Sequence, residues 1–134
     1  MEQFDKMLEK WQPAALSLLR FISGLLFLQY GFGKLLKWPA VPMFAKVELF
    51  SLYGAAGTIE LIGGILLVLG LFTRPVAFIA AGEMAVAYFY SHAPRGFFPI
   101  LNAGDLAILF CFVFLYLACA GGGPYSVDAM MRKK

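Results

Sequence analysis

A chain of 134 residues that is 61% hydrophobic, with a mean hydropathy of +0.78, has more apolar surface than a soluble domain of its size can hide. Its formal charge of +3 does not point to nucleic acid, because the cations are scattered over helix ends and loops without a basic stripe or recognition motif. One histidine and two cysteines eight residues apart argue against a zinc site or a two-histidine haem site within one chain.

The opening MEQFDKMLEKWQ mixes both charge signs and lacks a cleavable apolar run, so it does not read as a signal peptide. Trp11 suits a membrane interface. Four apolar stretches follow, at about 13–35, 53–72, 75–91 and 103–120, each near the ~20 residues that a helix needs to cross hydrocarbon. They predict an all-α integral membrane four-helix bundle in one domain covering 1–134.

In the first stretch Pro13 suits a helix start, and Gly24 and Gly31 share a face that allows close helix approach. The loop after it carries two prolines, with Trp38 and Phe44 expected toward lipid and Lys46 toward water. The second stretch holds Glu60 framed by Gly57, Gly63 and Gly64, which is either tight packing or the wall of a ligand cavity. Thr73-Arg74-Pro75 is a tight turn, so the second and third helices must be antiparallel neighbours. Glu83 lies near the middle of the third, with Ala80, Ala87 and Tyr90 on its face. Asn102 reads as the cap of the last helix and Asp105 as its capping-box acid. Cys111 and Cys119 stand ~12 Å apart along that helix, too far to bond, and read as packing residues.

Arg20, Glu60, Glu83 and Asp105 therefore sit inside apolar spans, where a charge costs on the order of 3 kcal/mol or more and needs a partner. Depth along the helices pairs Arg20 with Glu83 and within reach of Glu60. One arginine cannot fully neutralise two acids, which leaves either a proton-binding, ligand-binding cluster or a structural ion pair. Gln29, Tyr30, Lys34, His92 and Asn102 form a second polar layer, expected at the mouth of an outward-facing cavity. An even number of spans puts both termini on one side. The cation bias, Lys6, Lys10, Arg74, Arg132, Lys133 and Lys134 against Lys34, Lys37, Lys46 and Arg95, makes that side cytoplasmic.

Taken together, Leu19-Arg20-Phe21-Ile22-Ser23-Gly24, Gly31-Phe32-Gly33-Lys34-Leu35, Gly57-x-x-Glu60-x-x-Gly63-Gly64 and Leu69-Gly70-Leu71-Phe72-Thr73-Arg74 form an ordered set. Gly82-Glu83-Met84-Ala85-Val86-Ala87-Tyr88, His92-Ala93-Pro94, Asn102-Ala103-Gly104-Asp105 and the Gly121–Asp128 tail complete it. In this order the chain resembles the DoxX family of small four-span bacterial membrane proteins. It departs where the family's usual Asn-Gly-Glu reads Asn-Ala-Gly-Asp, which keeps the acid at Asp105 but shortens it.

The resemblance implies the bacterial inner membrane and a quinone-linked redox subunit, or a quinone-binding partner of a soluble or membrane oxidoreductase. It leaves open whether the chain is an enzyme or a non-catalytic membrane subunit. Quinone is the one cofactor it suggests. A small-molecule or proton-coupled transporter or channel subunit, acting as a homo-oligomer in the lipid bilayer, is the alternative, as is a structural assembly subunit.

Overall fold

The first helix, α1, runs from Glu2 to Gly31 in the computed structural model, which describes residues 1–132. At 1.5 Å per residue its 30 residues span ~45 Å, longer than the ~30 Å of a hydrocarbon core. Pro13 lies inside this helix and does not start it. The turns before it are exposed and carry Phe4, Met7, Leu8 and Trp11 at helical spacing against Glu2, Asp5, Lys6, Glu9 and Lys10. That amphipathic stripe gives them a reason to stay helical beyond the buried part of the chain.

α1 continues through a π-helical turn, Phe32–Leu36, and a 3-10 turn at Pro42–Phe44 leads to α2, Leu52–Leu69. Ser51 caps α2 by accepting the Gly54 N–H at 3.0 Å. α3 spans Thr73–Ala87 and is extended by a second π-helical turn, Tyr88–His92. A short α4, Pro99–Asn102, precedes α5, Asp105–Ala120, and α6 covers Val127–Arg132. The described residues are all-helical, without a strand. Two helical runs, Glu2–Leu36 and Leu52–Leu69, are long and apolar enough to cross a membrane, and Asp105–Ala120 is a shorter apolar helix.

α1 packs on α2 and α3 on α5, while α2 meets α3 more sparingly. Glycine sets the first of these contacts. A Cβ on Gly64 would stand 2.7 Å from the Leu28 Cα, and one on Gly57 would stand 2.9 Å from the Lys34 Cβ. Backbone approach that close is open to small residues alone. Between the pairs sit Phe27, Leu67, Ala77, Ala80, Phe110, Phe114 and Leu117. Phe110 and Phe114 stack at 5.2 Å, with Phe27 edge-on to both.

The end bearing the α2–α3 turn is tied by polar groups. Arg20 donates from Nε to the Leu67 carbonyl at 2.9 Å and from Nη2 to that of Val68 at 3.4 Å, while Nη1 meets the Gly122 carbonyl. Ser17 donates to the same Gly122 oxygen at 3.1 Å. The Asp128 carboxylate accepts the Phe72 and Thr73 N–H groups at 2.8 and 2.9 Å, so α6 caps the start of α3. Burial opposes the Asp128 charge, but these donors outweigh it and hold the carboxyl below its ordinary value.

A group with a depressed folded-state value contributes stability above its unfolded value and loses it as pH falls. Asp128→Ala should therefore cost about 1–2 kcal/mol at neutral pH, the scale of a lost N-terminal cap. The gap to wild type should close as pH drops below the ordinary 3.8. Thermal melts in detergent across that range check both statements. Gly64→Leu should lower the melting temperature at every pH, because the Leu28 backbone occupies the space.

Candidate functional site

The opposite end of the helices is open. A cavity of about 800 Å³ lies between α1, α2, α3 and α5, closed in part by the 39–44 loop. Its polar floor is made by Lys34, Glu60 and Glu83. Lys34 is placed by the Phe32–Leu36 π turn, which ends in a left-handed residue, Lys37. The Lys37 ammonium donates to the carbonyls of Lys34, Phe44 and Val47 at 2.7, 2.8 and 2.8 Å. It thereby holds the loop against the end of α1.

The Lys34 ammonium lies 2.9 and 3.0 Å from the two oxygens of Glu60. Lys34 is 8% exposed and Glu60 1% exposed, so neither has water as an alternative partner. The ammonium also sits 5.3 Å from the Phe44 ring centroid and 5.9 Å from that of Tyr53. Ring faces are attractive to a cation and add to its solvation inside an apolar wall.

Glu83 is different. Both its carboxyl oxygens are buried without a donor group of their own, and the side chain that reaches them is a second carboxyl, Glu60. The charged groups acting on it are Glu60 and Lys34. A buried carboxyl without a donor is costly, and what relieves it is a proton or a donor brought by a ligand.

Three of the expected positions are corrected. Arg20 is not the cation of this cluster: it sits at the far end and neutralises helix-end carbonyls. The negative end of the α2 dipole and the charge of Asp128 act on it there, a possibility that pairing by depth did not consider. Asp105 is exposed at the first turn of α5, outside the cavity. Asn102 does not cap α5. It closes α4, is fully buried, and donates to the Tyr88 hydroxyl at 3.1 Å and the Gly96 carbonyl at 2.9 Å, while its oxygen accepts the Gly104 N–H at 2.8 Å.

Gln29, Tyr30, Lys34 and His92 do line the cavity. His92 is held through Nδ1, 3.0 Å from the Asn102 carbonyl. Lys34 lies deeper than the mouth, on the floor. Phe44 is buried beside Tyr30 and does not face lipid, whereas Trp38 is exposed. The cysteines are free, with Cys111 against the core and Cys119 exposed. Sequence reasoning missed Phe44 and Tyr53 as walls, and Lys37 as the organiser of the loop. The signal that finds Lys34 is the glycine at 57: its missing side chain is where the Lys34 stem passes.

Lys34→Met should cost on the order of 3–5 kcal/mol, because it leaves Glu60 buried without its cation. Combining it with Glu60→Gln should recover most of that loss, and a double-mutant cycle of unfolding free energies measures the coupling. Arg20→Met should destabilise to a similar degree yet show no coupling to Glu60 or Glu83. Coupling between Arg20 and either acid would contradict the separation of the two polar groups.

The geometry can be set beside known proteins. The DoxX family model matches residues 15–93, which hold Lys34, Glu60 and Glu83. An uncharacterised protein of Haemophilus influenzae (strain ATCC 51907 / DSM 11121 / KW20 / Rd) is 42% identical over 131 residues, covering 95% of this chain and 98% of its own. The inner membrane protein YqjF of Escherichia coli (strain K12) is 26% identical over 136 residues, covering 95% of this chain and 99% of its own. No solved structure matches the chain. The chain is a membrane protein that belongs to the DoxX family.

Proposed function

We propose that this is a single-domain inner-membrane bundle of four spanning helices that binds a lipid-soluble quinone or quinol for an oxidoreductase partner. The bundle is supported by the apolar exterior of every long helix: Phe21, Ile62, Phe78 and Phe112 are all exposed side chains that hydrocarbon would cover. α3 with its π turn reaches from Thr73 to His92, long enough to span with its neighbours. Cytoplasmic termini are supported by Lys6, Lys10, Arg74 and Arg132 on that side; Lys133 and Lys134 add to it in sequence but lie outside the described residues. Lys34 no longer weighs against this orientation, since it is buried on Glu60.

The ligand reading is carried by one observation: a buried Glu83 carboxyl without a donor, beside a single ammonium, on the wall of an aromatic cavity. A quinone ring fits that chemistry. Its carbonyl accepts from the Lys34 ammonium, and the hydroxyl of the reduced form donates to Glu83. Tyr53, Phe44 and Phe110 offer ring surfaces to a flat head group. Reduction adds two electrons and two protons to the quinone. The partner oxidoreductase supplies the electrons as its own substrate is oxidised, and the Glu60–Glu83 pair is placed to pass the protons.

Purified protein in lipid nanodiscs should bind a quinol saturably and quench its fluorescence. Glu83→Leu should weaken that binding at least about tenfold, the scale of one charge-assisted hydrogen bond. Protein that carries no quinone and shows no saturable binding would sink this reading. Proton-coupled flux in proteoliposomes, lost in Glu60→Gln, would favour transport instead.

A further inference from the structure

α2 and α3 meet unevenly along their lengths. Near the turn that joins them, a Cβ on Gly63 would lie 3.6 Å from Val76, which is ordinary van der Waals contact. Farther along, nothing stands within 4 Å of a Cβ on Gly82. The gap that results belongs to the cavity. Its rims are Ala55 and Ile59 on α2, and Ile79, Gly82 and Val86 on α3. None carries a polar side chain, and Ile79 and Val86 are 57% and 61% exposed on the outer surface.

The gap is also closed at its other limit. The Tyr53 hydroxyl and the Ser91 hydroxyl stand 2.9 Å apart, joining the start of α2 to the π turn after α3. The Tyr53 and Tyr90 rings meet edge to face at 6.4 Å beside that bond. The gap is thus bounded by the helix contact below and by this bridge above, and it opens sideways at the depth of Glu83. Gly82 on the rim is the residue before Glu83 on the floor.

From these features we infer that the α2–α3 gap is a lateral portal, through which a ligand with an apolar tail enters from the hydrocarbon and leaves its tail lying across Gly82. The inference rests on the quinone reading and extends it to the ligand's other half. A rim without a polar side chain offers nothing to a solute arriving hydrated, whereas a tail already dissolved in lipid crosses it without desolvation. The polar floor then takes the head, and the exposed faces of Ile79 and Val86 take the tail. The ligand class is an amphipathic lipid: a flat head that exchanges hydrogen bonds with Lys34 and Glu83, on an isoprenoid or alkyl chain.

The test compares two probes on the full chain in nanodiscs of phosphatidylethanolamine and phosphatidylglycerol. One is the bare dimethoxy-methyl-benzoquinone head, the other is decylubiquinone, the same head with an alkyl tail. Gly82→Leu fills the gap, and the space around its Cβ is free, so the helix keeps its packing. Decylubiquinone should bind Gly82→Leu at least about tenfold more weakly than wild type, while the bare head changes less than about twofold. Ile79→Ala widens the same rim and should speed decylubiquinone association in stopped-flow.

Equal decylubiquinone affinity in wild type and Gly82→Leu, with unchanged association in Ile79→Ala, overturns the portal and leaves the head-group site standing. Equal loss of both probes in Gly82→Leu also overturns it, since the residue would then shape the floor. Wild type that binds neither probe overturns the quinone reading itself.

Discussion

The Lys34 ammonium, held between Glu60 and two aromatic rings with almost no access to water, sets terms that its neighbours must meet. A charge so placed is stable only while its partner stays within hydrogen-bond distance, because each ion alone would cost several kcal/mol. That requires α1 and α2 to come closer than ordinary side chains permit, and Gly57 and Gly64 provide the room. It also requires the end of α1 to be turned and fixed. The π turn rotates Lys34 toward α2, and Lys37 pins the loop carbonyls that would otherwise let it drift.

The two ends of the molecule solve the same problem differently. At the α2–α3 turn, Arg20, Ser17 and Asp128 meet carbonyls and N–H groups left over at helix ends, and a Cβ on Gly122 would press on Thr73 and Ser126. Little space remains there. At the other end, a cavity persists and one acid keeps no donor. Polar groups at the first end are met by the chain itself, the buried Thr73 hydroxyl excepted, so their role is architectural. Those at the second are only partly satisfied, which is the condition under which a bound molecule gains from being there.

Helix order and the glycine contacts were legible from the chain, because apolar run length and small-residue spacing act locally. Glu60 and Glu83 were legible as buried acids for the same reason. The identity of their cation was not. Ranking residues by depth favoured Arg20, but a guanidinium has five donors and can be satisfied by backbone oxygens alone. Lys34 reads as a cavity-mouth residue because it lies near the outer end of the first apolar stretch, and the π turn brings it inward onto Glu60. Asn102 and Asp105 resemble a capping box, with Asp in place of the usual Glu or Gln. Ala103, in the left-handed region at φ 61°, ends α4 there and starts α5 afresh at Asp105, which removes Asn102 from the capping position. Pro13 misled in the same way: its ring fits a helix start, yet the amphipathic turns before it keep the helix continuous.

Depth of placement ties the site to its surroundings. The cavity floor lies about midway along α2, at Glu60, and in the second half of α3, at Glu83, with apolar rims on the side and polar groups such as His92, Arg95 and Gln29 toward the open end. A molecule reaching the floor from lipid meets hydrocarbon-like walls until it touches Lys34. A proton reaching Glu60 or Glu83 from water has a different path, through the polar open end of the cavity. Separating these two routes is what a protein needs if it exchanges protons with a guest that lives in the membrane: the guest never has to leave hydrocarbon, and the proton never has to enter it.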